Sequence, residues 1–499
     1  MSSNTNNTLQ AFWVMFGSLA GFLFVTGSAM LLSRYFSKVD YGTFKQVTYI
    51  YHTLLAVFTL GLPKAYSYFL PRVPKSHAKD VIGKINYILI GCGVVFSLIL
   101  FFGSNLIAVL LKNNELSSLL KWFSLVPLFM VPTMGIEGIL ATYKKTKTLA
   151  FYNITTKCLL FLCVTLPVVF FNGEVKHAII GFTVSSFISF VIAMILKYYP
   201  VKHEDKEKSS YSYNDLFKYS LPIMLASIWG MVITSTDQFM ISRYFGTEVF
   251  AEFANGATKI PFVGMIIGAI SIVLAPIYSK LAKDESSVSK IEIFRLLKTV
   301  FEKTIMLAFP IVTFFFCFSD TIMVVLYGNQ YEMSGVFFSI KILVNYFTLL
   351  TFSALILSIG GQRFYYKVHM YGALILIFLE YVSIHIFNSP FAIVWISTIC
   401  AILMTFVILN YISNYLKVRV VDIFPLKLIL KILPISFLII YGVRYILETS
   451  FQIDNVLLLF TSSIFYVLIF GLWSYFIKLD FCSLLSPLLN KFDKYNQKK

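Results

Sequence analysis

About fourteen apolar segments, each close to the length a helix needs to cross a hydrocarbon layer, follow one another along this chain. They fall near 11–32, 45–68, 85–111, 118–142, 149–171, 177–199, 218–243, 254–280, 304–327, 334–361, 368–388, 390–416, 428–447 and 455–477. A helix rises about 1.5 Å per residue, so about 20 apolar residues reach across. Inside a bilayer no water is available to satisfy backbone groups, and each segment must close its own hydrogen bonds as a helix. The expected class is therefore an all-α polytopic membrane protein. Hydrophobic residues make up 58% of the chain and charged residues 13%, far from the mix of a soluble domain. The first eight residues carry no Lys or Arg and no small-residue cleavage site follows, so the first apolar run reads as a retained helix.

The net charge of +17 raises nucleic acid as a partner, but its distribution gives a simpler account. With the N-terminus placed in the cytoplasm, 30 of the 41 Lys and Arg fall on inner segments and nine on outer loops. That is the positive-inside pattern of an even number of spans with both termini cytoplasmic. Membrane lipids, and no nucleic acid, are the expected partners of these charges. In the inner loop 280–303, Ile291, Phe294, Leu297, Val300 and Phe301 recur at helical spacing. They predict an amphipathic helix on the inner surface, with a solvated linker as the plainer alternative.

One tract occurs twice. Ser33-Arg34-Tyr35-Phe36 ends the first segment, and Ser242-Arg243-Tyr244-Phe245 ends the seventh. At that offset Phe44 aligns with Phe253, Tyr41 with Phe250 and Gly42 with Ala251. Gly61-Leu62-Pro63 and Ala275-Pro276 then close the following segments. Duplication of a bundle is a signature of transporters, and an even number of spans between copies makes the two halves like-oriented. The hydrophilic run Val201–Asn214 marks the boundary. The expected division is a six-helix lobe over 1–200, a cytoplasmic linker over 201–216, a second six-helix lobe over 217–417, and two additional helices with a cytoplasmic tail over 418–499.

Ionisable residues within spans are the candidate functional groups, because each costs about 2.5–3.5 kcal/mol or more at mid-bilayer unless paired or wet. Lys157 lies eight residues into the fifth span, about 12 Å deep. Lys341 and Asp237 lie at about 10 Å in the tenth and seventh spans, and Glu380 in the outer half of the eleventh. Asp237 belongs to the polar run Thr234-Ser235-Thr236-Asp237-Gln238, which a lipid-facing helix would not tolerate. It reads either as a cavity carboxylate that exchanges a proton or cation, or as a hydrogen-bond partner between helices. Lys157 and Lys341 suit an anionic substrate, although a lysine near an interface can also snorkel outward. Arg34 and Arg243 stand at outer ends, as interface anchors or as lining of an exit. His52, His369 and His385 have no partner spacing and read as core or interface histidines. Pro127, Pro132, Pro222 and Pro310 mark places where helices bend.

The six cysteines are scattered, with no CxxC pair, and read as small apolar fillers. No nucleophile–base pair, metal cluster or Gly-rich phosphate loop is visible, and the outer loops are short. No catalytic residue, cofactor or metal is expected.

Asp40-Tyr41-Gly42-Thr43-Phe44 after the first span, Leu60-Gly61-Leu62-Pro63 closing the second, and Tyr219-Ser220-Leu221-Pro222 with Asp237 in the seventh carry a resemblance to a known family. Gly246 and Phe253-Ala254 fit it too. The chain resembles the polysaccharide transporters, the Wzx-like oligosaccharide-lipid flippases of the multidrug/oligosaccharidyl-lipid/polysaccharide (MOP) exporter superfamily. The resemblance implies two six-helix lobes about a central cavity in a bacterial inner membrane. It implies, as substrate, an undecaprenyl-pyrophosphate-linked oligosaccharide for O-antigen, capsule or a similar glycan, turned from inner to outer leaflet. Glycan polymerases or glycosyltransferases of the same pathway would be partners. A cation-coupled drug exporter and a peptidoglycan-precursor flippase share the fold and stand as alternatives; a membrane glycan polymerase or ligase is the enzymatic rival.

Overall fold

The computed structural model describes residues 2–260, scattered positions between 263 and 282, residues 286–348, 352–451 and 453–477, and Leu479. Every regular element among the described residues is helical. Twelve of the described helices are long and apolar enough to cross a membrane. They match the expected spans one for one, except for the eighth and tenth. The eighth, with Ala275-Pro276, lies largely outside the described residues, as do Lys283 and the tail beyond Leu479. The tenth is broken into Met333–Ile342, a 3-10 turn over Leu343–Tyr346, and the short helix Phe352–Ser358.

By packing, the chain forms two compact units. One runs to Ala254 and includes Ile377–Ile393; the other comprises Asn255–Leu376 and the chain from Val394 onward. The first unit contains α1 (Ser2–Tyr35), α2 (Lys38–Phe58), α3 (Pro63–Phe69), α4 (Lys75–Leu110), α5 (Glu115–Phe123), α6 (Leu125–Thr133), α7 (Ile136–Thr142), α8 (Thr146–Phe171), α9 (Val175–Tyr198) and α10 (Tyr213–Gly256). α1 lies along α8 through small and aromatic side chains. A Cβ on Gly17 would stand 2.9 Å from the Ala150 Cα, and the Phe24 and Phe161 rings are 5.9 Å apart. Close backbone approach of this kind is how helices associate in lipid. The fourth span breaks between α6 and α7, where Gly135 takes φ +80°, a left-handed conformation that only glycine adopts freely.

The hydrophilic stretch after α9 is docked on the N-terminal end of α4. Glu207 N donates to Ser76 O at 3.1 Å, and the Glu207 carboxylate lies 3.1 Å from His77. Lys79 donates to the Lys202 and Glu204 carbonyls at 3.0 and 2.5 Å. Ser209 donates to Asp80 from both its amide and its hydroxyl, and Lys84 reaches the Tyr211 carbonyl at 2.8 Å. Backbone groups that water would otherwise satisfy are taken up by a helix end, which makes the stretch a strap.

The second unit contains α11 (Ser287–Cys317), α12 (Ser319–Tyr327), α13 (Met333–Ile342), α14 (Phe352–Ser358), α17 (Val420–Ile423), α18 (Leu426–Ser450) and α19 (Asn455–Phe476). The helices α15 (Gln362–Phe387) and α16 (Pro390–Leu416) divide between the units. The amphipathic helix expected within 280–303 forms, as the first turns of α11, but its stripe turns inward. Leu297 and Phe301 are buried, and the Phe301 ring meets those of Phe352 and Phe424 edge-on. Of the stripe, Ile291 remains exposed. Protein, more than lipid, covers this face.

The two C-terminal helices are fastened to α11 and α12. Arg444 on α18 makes a forked pair with Asp320, with Nη2–Oδ2 at 2.8 Å and Nη1–Oδ1 at 3.2 Å, and reaches Glu448 at 2.8 Å. It also donates to the Cys317 carbonyl that ends α11. On α19, Tyr466 donates to the Pro310 carbonyl at 3.2 Å. Between α11 and α19 lies an almost wholly apolar cavity of about 580 Å³, lined among others by Phe314, Phe315, Tyr466, Phe470 and Gly471.

Candidate functional site

The polar run on α10 folds its hydroxyls back onto its own helix. Ser235 and Thr236 donate to the carbonyls of Met231 and Val232, four residues earlier. Hydroxyls used this way leave Asp237 as the charged member of the run. Asp237 is buried at 3% exposure, and Glu380 is fully buried at 0%. The Tyr49 hydroxyl donates to the Ser235 carbonyl at 3.0 Å, and both carboxylates act electrostatically on Tyr49. Asp237 and Glu380, from distant parts of the chain, are thus gathered around one tyrosine of α2.

Lys157 is half-buried on α8, and its Cγ stands 3.4 Å from where a Cβ on Gly21 of α1 would be. Glu137, at the first turn of α7, acts on it electrostatically. His52 is exposed on α2 within electrostatic reach of Lys157 and Lys45, which lies two turns away on the same face. The histidine set aside in the sequence as an ordinary core or interface residue therefore shares its surroundings with two lysines. In the second unit, Lys341 on α13 donates to the Ser397 hydroxyl at 2.9 Å. Arg34 is exposed at the end of α1. Arg243 donates to the Val109 carbonyl at 2.7 Å, capping the last turn of α4.

One charged residue escaped sequence reasoning. Lys197 ends an apolar segment, where it counts as an inner interface charge, yet it is fully buried. Its ammonium donates to Asn86 Oδ1 at 2.8 Å, Tyr66 OH at 3.1 Å and the carbonyls of Pro132 and Met134 at 2.7 and 2.8 Å. The two carbonyls flank the break between α6 and α7. Lys197 therefore ties α9 to α3, α4 and the interrupted span. The proline-rich run and Asn86 inside an apolar segment were the available signals.

This architecture defines a class: an integral membrane protein with the fold of the MOP exporters. The solved lipid II flippase MurJ, in an inward closed conformation, is similar at a TM-score of 0.67 and 17% identity, over 94% of this chain and 99% of that one. A multidrug resistance MATE family transporter of the MOP superfamily, facing inward, is similar at 0.57 and 13% identity, over 81% of this chain and 94% of that one. A MOP superfamily transporter from Pyrococcus furiosus is similar at 0.53 and 14% identity, over 81% and 94%. Residues 31–335 match the model of the family described as polysaccharide biosynthesis protein, and the chain belongs to that family. A capsular polysaccharide biosynthesis protein, CapF of Staphylococcus aureus, is 23% identical over 272 residues, which cover 52% of this chain and 65% of that protein. The match thus spans less than two thirds of the curated relative.

Proposed function

We propose that the protein turns an undecaprenyl-pyrophosphate-linked oligosaccharide from the inner to the outer leaflet of a bacterial inner membrane, with both termini cytoplasmic. It does so by rocking-bundle alternating access, without covalent chemistry, as part of the assembly of a surface glycan such as capsule or O-antigen. The observation that carries this reading is Lys157, an ammonium held within the helices of a polysaccharide biosynthesis protein beside Lys45 and His52. A diphosphate crossing the bilayer needs such charge midway, since a bare anion in hydrocarbon is prohibitive. Lys341 supplies a second ammonium, and Arg34 and Arg243 stand toward the exit. The prenyl chain needs no charge, and the apolar cavity between α11 and α19 is of a size and character to take a stretch of it. Asp237 and Glu380 are the groups through which an ion would couple to transport. Glycosyltransferases and a glycan polymerase of the same pathway would be its partners.

The test is complementation of a strain lacking the protein. Lys157→Ala should lower surface glycan at least ~10-fold with unchanged membrane abundance, while Lys157→Arg retains part of the activity. Undiminished export from Lys157→Ala would remove that residue from the pathway. A peptidoglycan precursor is the second reading, favoured by the likeness to MurJ over nearly the whole chain. Loss of viability, rather than of surface glycan alone, would select it.

A further inference from the structure

A lysine at the edge of an apolar run ordinarily stretches its ammonium out to headgroups and water. Lys197, in the last turn of α9, does the opposite. It folds inward until nothing of it is exposed, onto oxygens supplied by three other helices of the first unit. The fourth span stops at the end of α6, where Met134 is extended and Gly135 left-handed before α7 begins. The last carbonyls of a helix lack partners in a following turn and carry the negative end of its dipole. Here they are the Pro132 and Met134 oxygens, 2.7 and 2.8 Å from the Lys197 Nζ. Tyr66 packs into the space beside Gly135 that a Cβ would need. Its hydroxyl lies 3.1 Å from the Nζ and donates in turn to Asn86 Oδ1, itself 2.8 Å from the Nζ. The face of the Tyr66 ring, 4.7 Å away, adds a cation–π contact.

Such a shell has the marks of a metal-ion site. Carbonyls at the end of an interrupted span are groups with which membrane proteins replace the water around a monovalent cation. Distance and charge choose the ion. At 2.7–3.1 Å the oxygens stand beyond the about 2.3–2.6 Å of calcium and the about 2.0–2.1 Å of magnesium. A divalent ion would also call for carboxylates, and all four oxygens here are uncharged. A large monovalent cation fits, potassium or ammonium, the second being the ion that a lysine head group most resembles. A head group fixed to the same fold loses no translational freedom on entering, and so holds the site against dissolved ions.

We infer that the Tyr66, Asn86, Pro132 and Met134 oxygens form a monovalent-cation site that the chain fills with its own ammonium, Lys197. The elbow between α6 and α7 is thereby held around a positive charge whatever the ionic medium. With the lysine cut back, potassium or ammonium ions from solution take its place. The site lies wholly within the first unit and is independent of which substrate the protein carries.

The test reads thermal unfolding of the full-length protein in detergent, in chloride salts of equal ionic strength. Replacing N-methylglucamine by about 100 mM potassium or ammonium should raise the midpoint of Lys197→Ala at least ~3 °C more than that of the wild type. The wild-type shift accounts for ions bound elsewhere. Lys197→Met leaves no room for an ion, and its shift should equal the wild-type one. A Lys197→Ala midpoint that moves no further than the wild-type midpoint overturns the site. So does an equal gain by Lys197→Met, which would locate the cation elsewhere. If Lys197→Ala fails to accumulate, it is combined with Asn86→Asp, since a carboxylate in the shell strengthens its hold on a cation. That variant should show the same excess shift. Its failure to shift, or to accumulate, would count against the site, because a bound ion should stabilise it.

Discussion

Among single residues, Lys197 and Lys157 show how differently a lysine in an apolar segment can be used. Lys197 has four neutral acceptors and no exposure, so its charge is spread over two carbonyls, an amide oxygen and a tyrosine hydroxyl. Lys197→Met keeps the volume but strands those acceptors. We expect a loss on the order of 1–3 kcal/mol, read as lower thermal stability of the purified protein in detergent. Lys157 is half-buried, and its replacement should alter transport more than stability. Asp237→Asn keeps the shape and removes the charge. The expectation is that export falls ~10-fold and no longer responds to collapse of the ion gradient, measured with and without a protonophore and in sodium-free medium. That Asp237 and Lys157 lie within long apolar helices was legible in the sequence, because a charge in the middle of an apolar run is visible as such. Lys197 was not, because at the edge of a run a snorkelling lysine and a buried one look alike. Nor was the clustering of Asp237, Glu380 and Tyr49, which depends on contacts between residues far apart in the chain.

Among the elements, the fastening of α18 invites a pH experiment. The Asp320 carboxylate is held by the fork of Arg444. A carboxylate paired in the folded state contributes stability while it is ionised and loses that contribution as acid protonates it. Asp320→Asn should therefore cost about 1 kcal/mol at pH 7 and almost nothing near pH 2–3, compared by denaturation at the two pH values. A second experiment concerns the cavity beside α19. A Cβ on Gly471 meets no atom within 4 Å, so Gly471→Leu has open space to enter. The variant should fold and accumulate normally, with export reduced about 3-fold or more if a prenyl chain uses that space. Helix existence was readable from apolar length alone: twelve of the expected spans have a counterpart, while the tenth, though largely described, is broken. The stripe on α11 was misjudged for a definite reason. Periodicity reveals an apolar face but not what covers it, and Phe352 and Phe424 lie some 50 and 120 residues away.

For the molecule as a whole, the reading predicts an imbalance between leaflets. Cells depleted of the protein should accumulate lipid-linked oligosaccharide on the cytoplasmic side, measured by resistance of the sugar to an added periplasmic glycosidase. The strap after α9 adds a consequence for biogenesis. With both termini in the cytosol, as proposed, residues 202–211 would emerge there once six spans have been synthesised, and would find Ser76, Lys79, Asp80 and Lys84 only if α4 had been threaded correctly. A first half inserted the wrong way up offers no such seat, and leaves that strip dangling for housekeeping proteases. Under that orientation, docking of the strap would mark a correctly threaded first half before the rest of the chain is committed to the bilayer.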